Sequence, residues 1–559
     1  MKIVECVPNI SEGRDRQKID AVTSVIEKVK GVKLLDVDPG EATNRTVITF
    51  IGDPEGVAEA AFQVVKAAAE AIDMRTHKGA HPRMGATDVC PFVPVCGVTM
   101  EECAEIARKV GRRIGDELGI PVYLYEEAAS KPEFKNLANV RQGEYEGLAA
   151  RTGDPYWKPD FGPFEFNAKS GATAVGAREF LIAYNINLNT RDRKIANDIA
   201  LDIREGGRAK RDADGNIVKD KDGKTVNVPG LFKHVKAVGW VIDEYGRAQI
   251  SINFTNYKIT PIHVVFDECS KQAERRGARV TGSELVGLIP KQAMLDAGRY
   301  YLAKMGRSQG VPEAELVHIA VLSLGLGDLY PFKPEEKIVE SFVVKEGKLE
   351  GMKLSSYFDE LSSDSPAPGG GSAAAVSGAQ AAALVSMVAN LTHGKKGYEE
   401  AWQEMERVAV EAQALKDELR RTIDRDTDAF NALMDASRLP KKTEQEQALR
   451  NEALEKATLN AIEVPLSVVK NMLKVLELAK VTASKGNKNS ISDVSTAAAQ
   501  ALAAAEGARD NVMINVAGLE DKKKARTLLD EANRLLEEVK GRAEGIVKQV
   551  HEVLEASLG

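Results

Sequence analysis

The sequence is poor in the residues that cross-link, anchor or bind by charge alone. Its five cysteines (Cys6, Cys90, Cys96, Cys103 and Cys269) include no CxxC pair and make an odd total. That argues against a disulfide framework or a structural zinc site and fits free thiols in a reducing compartment. Aromatic residues make up 5% of the chain, and none follows Phe430. No stretch approaches the run of about 18 apolar residues that a membrane span needs, so no span is expected. Lys and Arg number 76 against 83 Asp and Glu, a net charge of −7. The chain therefore lacks the basic excess expected of a partner for nucleic acid or an anionic membrane. The opening MKIVECVPN has one lysine and an apolar run broken by Glu5 and Pro8, which reads as a first strand rather than a signal peptide. Nucleotide and calcium motifs are missing too. GLGD (325–328) lacks the third glycine of a dinucleotide loop, and Gly369–Gly371 is followed by Ser372 rather than GK. In DADGNIVKDKDGK (212–224), Ile217 and Gly223 stand where a calcium loop needs Gly and Glu. Its two Asp-Gly turns read instead as a charged hairpin.

At 559 residues the chain is too long for one core; about 150 residues per domain suggests three or four units. Before residue 350, β-rich runs (32–37, 46–51, 121–124, 180–186, 238–242, 249–254) alternate with helical stretches such as 54–72 and 100–118. After it alanine becomes dense, and amphipathic segments span roughly 373–393, 398–435, 443–480, 491–516 and 520–557. The pattern predicts two α/β (α+β) subdomains, 1–180 and 181–335, then a surface linker at 336–353 and an all-α helical bundle at 354–559.

Two of the seven histidines share one loop, RTHKGAHPRMGATD (75–88), between a helix and a strand. A neutral imidazole can take a proton at neutral pH and return it within one turnover. The residues alone leave three readings open for His77 and His81: a structural loop, acid–base chemistry or a metal pair. Gly79 and Pro82 oppose the helix that a metal pair four residues apart would need. Nearby, Asp36 and Asp38 share a strand face and could orient an imidazole or meet a cationic amidine. Asn44 and Arg45 suit a substrate carboxylate. Solvation of a strand end is the plain alternative for the aspartates.

In the helical part, Leu415, Leu419, Ile423, Phe430 and Leu433 define an apolar face. Of three alternating aspartates, only Asp426 lies on that stripe; Asp424 and Asp428 point away. A carboxylate there is either in a buried ion pair or has its pKa raised by desolvation, and spacing does not choose. The loops SDSPAPGGGSAAA (363–375) and KGNKNSISDVSTAA (485–498) each lead into a helix, a place suited to an anion. Asp493 begins the second of these helices, where the helix dipole alone would favour it.

These residues resemble the formimidoyltransferase-cyclodeaminase family over nearly the whole chain. The resemblance rests on VECVPNISEG (4–13), LLDVDPG with TNRTV, THKGAHPRMGATDVCPF (76–92), VYLYEEAA (122–129) and GAREFLIAYNINL (176–188). In the helical part it rests on SPAPGGGS, DRDTDAF, RLPKKT and GNKNSISD. The resemblance implies a glutamate formimidoyltransferase in the first part and a formimidoyltetrahydrofolate cyclodeaminase in the second. His81 matches the transferase's catalytic histidine, and Asp426 the catalytic carboxylate of the cyclodeaminase. Gly162, Pro163, Phe164, Glu165, Phe166, Asn167, Ala168, Lys169, Ser170 and Gly171 match a folate-binding loop. Asp38, Asn44, Arg45 and Asp493 are supporting candidates from the residue reading. The implied substrates are formiminoglutamate and tetrahydrofolate, which can carry a polyglutamate tail, with no metal and no nucleotide. The expected setting is cytoplasmic, in a homo-oligomer without nucleic-acid or membrane partners. The competing expectation is that only one half is active, the bundle serving oligomerisation or the handing on of folate.

Overall fold

The computed structural model describes residues 2–41, 43–79, 81–221, 223–342 and 347–557. Contacts divide the chain into two compact units, residues 1–294 with 324–344 and residues 295–323 with 345–559.

The first unit begins with β1 (Ile3–Cys6), β2 (Asn9–Ile10), α1 (Arg16–Thr23), β3 (Val32–Gly40), β4 (Arg45–Gly52) and α2 (Pro54–Ala71). It continues with β5 (Thr87–Cys96), α3 (Met100–Leu118), β6 (Val122–Glu126), the short α4 (Leu137–Val140), α5 (Glu144–Arg151) and β7 (Thr173–Ala177). The strands form one mixed sheet, β1-β4-β2-β5-β7-β6 with β3 paired to β4; β5 and β6 run parallel to β7. Local chemistry sets the helices. Asp53 caps α2 by accepting from the N–H groups of Glu55 and Gly56, with Pro54 in the first turn. Thr99 and Glu102 form a capping box on α3. Val57, Phe62, Ala107 and Ile114 then cover the sheet face made by Val4, Cys6, Phe50 and Phe92.

A second sheet, β11-β12-β8-β13, is wholly antiparallel. Its elements in order are β8 (Ile182–Leu188), α6 (Arg193–Ile203), β9 (Arg208–Ala209), β10 (Asn227–Val228), β11 (Val235–Ile242), β12 (Arg247–Phe254), α7 (Ile262–Arg275) and β13 (Val280–Val286). β9 and β10 pair at the base of the charged hairpin, where Asp212 Oδ1 accepts from the N–H groups of Asp214 and Asn216. This loop chemistry is that of Asx turns, with no call on a cation.

Helices α8 (Lys291–Lys304) and α9 (Glu313–Leu324) follow. Residues 295–323 pack within the second unit, although their sequence reads as part of the β-containing half. Asn390 Nδ2 donates to the Gly310 carbonyl at 2.8 Å. A Cβ at Gly310 would lie 2.4 Å from that of Ala409. After α10 (Pro334–Lys337), Ile338 and Val339 are buried, and the Val339 N–H donates to Ile289 O at 3.0 Å. The charged run KPEEK thus hides two anchoring apolar residues directly behind it.

The second unit continues with α11 (Leu354–Leu361), α12 (Gly370–Thr392), α13 (Trp402–Ser437), α14 (Glu444–Lys485), α15 (Ile491–Val516) and α16 (Lys522–Ala556). Small side chains let its helices approach closely: Ala375, Ala381, Ala382 and Ala389 of α12 share one core with Ala497, Ala501, Ala504 and Ala508 of α15. Helix α12 corrects one expectation. By length and composition Gly370–Thr392 is apolar enough to cross a membrane, with 61% of its most apolar window buried within the fold. Alanine and glycine dilute the run in sequence, which is why a search for large apolar side chains passes over it.

Candidate functional site

The histidine loop connects α2 to β5, and its two imidazoles are held in opposite ways. His77 Nε2 lies 2.8 Å from the Asn44 carbonyl oxygen, and Arg83 Nε donates to His77 Nδ1 at 3.2 Å. Both ring nitrogens are therefore spent on the loop's own fold. His81 Nδ1 lies 2.7 Å from the Pro82 carbonyl oxygen. A carbonyl only accepts, so the proton sits on Nδ1 and the lone pair on Nε2, which has no hydrogen bond among the described residues. Burial, and after it the Arg45 guanidinium, lowers the His81 pKa from its usual 6.5, keeping the ring neutral.

Beneath the loop lies a buried charge cluster. Asp88 has no exposed surface, and its Oδ2 accepts from Arg45 Nη1 and from Arg141 Nη2, the latter at 2.5 Å. Arg45 is accordingly turned inward, with Nε on Asn9 Oδ1 at 3.1 Å. Asn44 adopts φ +49°; its Oδ1 accepts from the Gly13 N–H at 3.0 Å and its Nδ2 donates to Lys78 O at 3.1 Å. The Asn44 amide is thus engaged by backbone on both sides and holds the histidine loop to the strand, instead of standing free for a substrate carboxylate. Asp38 is exposed on β3, paired in register with Val47, and makes no hydrogen bond to the described residues of the loop.

The loop 162–171 is stitched to the same place. The Ala86 N–H donates to Ser170 O at 2.8 Å and the Ala172 N–H to Met84 O at 3.1 Å. Gly171 has φ +68°, and a Cβ there would come within 2.1 Å of the Met84 carbonyl oxygen. Only glycine lets these two loops touch. Asn167 pins the turn by accepting from the Ser170 and Gly171 N–H groups. Pro163, Phe164, Glu165 and Phe166 line a pocket with Tyr123 and Arg151. Lys169 Nζ donates to the Glu70 carbonyl at 3.2 Å, at the end of α2.

The second centre is on α13, where the three aspartates take three roles. Asp424 accepts from the Leu349 and Glu350 N–H groups, both at 2.9 Å, and so holds the chain leading into α11. Asp428 is exposed. Asp426 faces the N-terminus of α12, with Ser372 Oγ 3.2 Å from its Oδ2 and 2.8 Å from the Ile423 carbonyl oxygen. A Cβ at Gly371 would lie 2.1 Å from Asp426 Oδ1, so glycine makes room for the carboxylate. Burial raises the Asp426 pKa above its usual 3.8, while hydrogen bonding from Ser372 pulls it down. Tyr357 is buried beside it; its hydroxyl has no hydrogen-bond partner among the described residues, and its pKa is raised by burial and by the Asp426 charge.

Asp493 is not brought to this centre within the chain. It lies in the first turn of α15, just past Asn487, whose N–H donates to Thr392 Oγ1 at the far end of α12. From Ser372 to Thr392 the helix rises about 30 Å. Ser372 and Gly371 fall inside a loop that the sequence marks as a site. Asp88, Arg141 and Tyr357 carry no local signal, since only tertiary packing gives them their partners.

Among known proteins, the Formiminotransferase domain, N-terminal subdomain, matches residues 3–178 and the Formiminotransferase domain residues 183–344. The Formiminotransferase-cyclodeaminase domain matches residues 353–534. The formimidoyltransferase-cyclodeaminase of Gallus gallus is 41% identical over 542 residues, 96% of this chain and 97% of that protein. The glutamate formimidoyltransferase of Thermoplasma acidophilum is 45% identical over 312 residues, 56% of this chain and 95% of that protein. A methenyltetrahydrofolate cyclohydrolase of Methylorubrum extorquens is 41% identical over 197 residues, 35% of this chain and 95% of that protein. With the three domain models matched in order and a relative 41% identical over 96% of this chain's length, the chain belongs to the formimidoyltransferase-cyclodeaminase family.

Proposed function

We propose that the chain runs two consecutive folate reactions, with His81 serving the first and Asp426 the second. In the first, N5 of tetrahydrofolate attacks the formimino carbon of N-formiminoglutamate. His81 Nε2 takes the N5 proton and returns it to the glutamate nitrogen, which leaves as glutamate and yields 5-formimidoyltetrahydrofolate. The loop 162–171, bonded to the histidine loop, is the seat for folate. In the second, N10 attacks the same carbon within one molecule. The Asp426 carboxyl carries the N10 proton to the amino group, which departs as ammonia and leaves 5,10-methenyltetrahydrofolate. Tethering of the two reacting atoms lowers the barrier without further help from the protein. The formimino group is already an activated amidine, so neither step requires a metal or a nucleotide.

The observation that carries this reading is the pair of half-buried groups, one in each unit. One is a histidine held neutral with its lone pair outward; the other is a carboxyl whose proton is held more tightly than usual. The helical second unit is assigned as the cyclodeaminase. We further infer a homo-oligomer in a reducing, cytosolic setting, which the five free thiols suit. The test follows ammonia and methenyl-folate absorbance together, from formiminoglutamate plus tetrahydrofolate. Both signals are expected in wild type. If Asp426→Asn forms methenyl-folate at the wild-type rate, the two-centre reading is wrong.

The similarity of the bundle to a methenyltetrahydrofolate cyclohydrolase favours a second reading. In it the bundle opens a methenyl bridge with water instead of closing one. Supplying 5-formimidoyltetrahydrofolate alone separates the two, because only ring closure releases ammonia.

A further inference from the structure

The charge cluster under the histidine loop holds two cations for one anion. Asp88 receives Arg45 through Nη1, and Arg141 through Nη2 at 2.5 Å and Nε at 3.4 Å. Its Oδ1 also accepts the Met84 N–H at 2.9 Å, so the carboxylate is fully occupied. The remaining partner of Arg45 is the neutral Asn9 amide. Nη2 of Arg45 and Nη1 of Arg141 make no hydrogen bond among the described residues. The two arginine side chains are only 10% and 17% exposed. The neighbouring Arg83 does not alter the balance, because Glu144 and Glu146 both pair with it. Nor does His81 supply a negative charge. One positive charge is therefore left over in a site largely shielded from water, where an unpaired ion is costly.

We propose that Arg45 and Arg141, clamped by Asp88, form the seat for a carboxylate of the formimino donor's glutamyl group, beside His81. This rests on the functional reading above and assigns the donor a place in that site. An arginine pair offers a planar fork that matches a carboxylate, and a preformed clamp spares the entropy of ordering it. The donor is favoured over the glutamate of folate by bond connectivity. One Cα separates the formimino nitrogen from the donor's α-carboxylate, whereas the whole p-aminobenzoyl group separates N5 from the folate tail. A carboxylate seated next to the base therefore brings the formimino carbon to it.

The test uses the full-length protein and two substitutions, Arg141→Met and Arg141→Lys. The Met variant is expected to raise KM for formiminoglutamate by about tenfold or more and to leave KM for tetrahydrofolate within about twofold. The Lys variant, which keeps the charge against Asp88 but loses the fork, is expected to recover part of that loss. A partial loss of fold would lower kcat and leave both KM values unchanged, and an unchanged formiminoglutamate KM overturns the proposal. A shift in folate KM alone would place the folate tail on the seat and overturns it too. Calorimetric titration of L-glutamate gives a reading independent of turnover. Binding to wild type that weakens about tenfold in Arg141→Met supports the seat, and equal binding overturns it even if no transfer is seen.

Discussion

The two centres of this chain are built by opposite means. His81 sits on an irregular loop, and apart from the neighbouring Pro82 carbonyl the groups around it come from afar: Asn44 and Arg45 from β4 and the turn before it, Arg141 from behind α4, Ser170 from the loop 162–171. Asp426 sits inside a long helix and meets the first turn of a second one, with Gly371 and Ser372 supplying the fit. A loop site needs many small ties because its backbone has no repeating hydrogen bonds. A helix site inherits its position from the helix and needs only one close approach. Burial shifts both groups, lowering the His81 pKa with the Arg45 charge acting in the same direction, and raising that of Asp426 against the hydrogen bonds from Ser372.

Replacing each of the two proposed catalytic groups tests this division most severely. His81→Asn is expected to cut formimino transfer by about 10³-fold and to leave ammonia release from 5-formimidoyltetrahydrofolate unchanged. Asp426→Asn should do the reverse, measured with each substrate supplied separately. If either variant silences both activities, the centres are not independent. Next in size, Gly371→Ala pushes a methyl group onto the Asp426 carboxylate. A displacement of that order costs about 10²-fold in ammonia release, while transfer is spared.

The pH profiles sharpen the contrast further. The His81 pKa is lowered, so its neutral form persists to more acid pH, and the acid limb of transfer should fall below 6.5. The Asp426 pKa is raised, so its protonated form persists to higher pH, and the corresponding limb of ring closure should lie above 3.8. Measured kcat/KM profiles should thus bring the two limbs closer together than a free histidine and a free aspartate would. The smallest effect is expected at Asp424. Asp424→Ala removes the acceptor for two N–H groups and should cost about 1–2 kcal/mol of stability in denaturant unfolding, with both rates retained.

The same contrast explains what could be read from the sequence. Strand and helix periods located strands of both sheets and the five long helices of the second unit, to within a few residues at most ends, because those periods are local. β7 and β13 carry too weak a pattern to stand out. Helical geometry also singled out Asp426 from its neighbours, since three residues turn a helix nearly once around. The histidine loop has no period. Its residues left three readings open, and only the acceptors at Pro82 and Asn44 tell His81 from His77. Arg45 suits a carboxylate by residue type, but sequence does not show that Asp88 and Arg141 gather beside it. The charged run before α11 looked like a solvated tether because two buried residues after KPEEK are too short a signal to register.

One consequence of the Gly371–Asp426 approach concerns registration. The carboxylate belongs to one helix and the fit to another, so a slip of α13 along α12 by a single residue would carry Asp426 about 1.5 Å from its place. Ammonia release is therefore a gauge of how finely two rods are meshed. A preparation with full helical ellipticity but slack packing should lose this activity first, and the gauge would register the slack before any spectrum does.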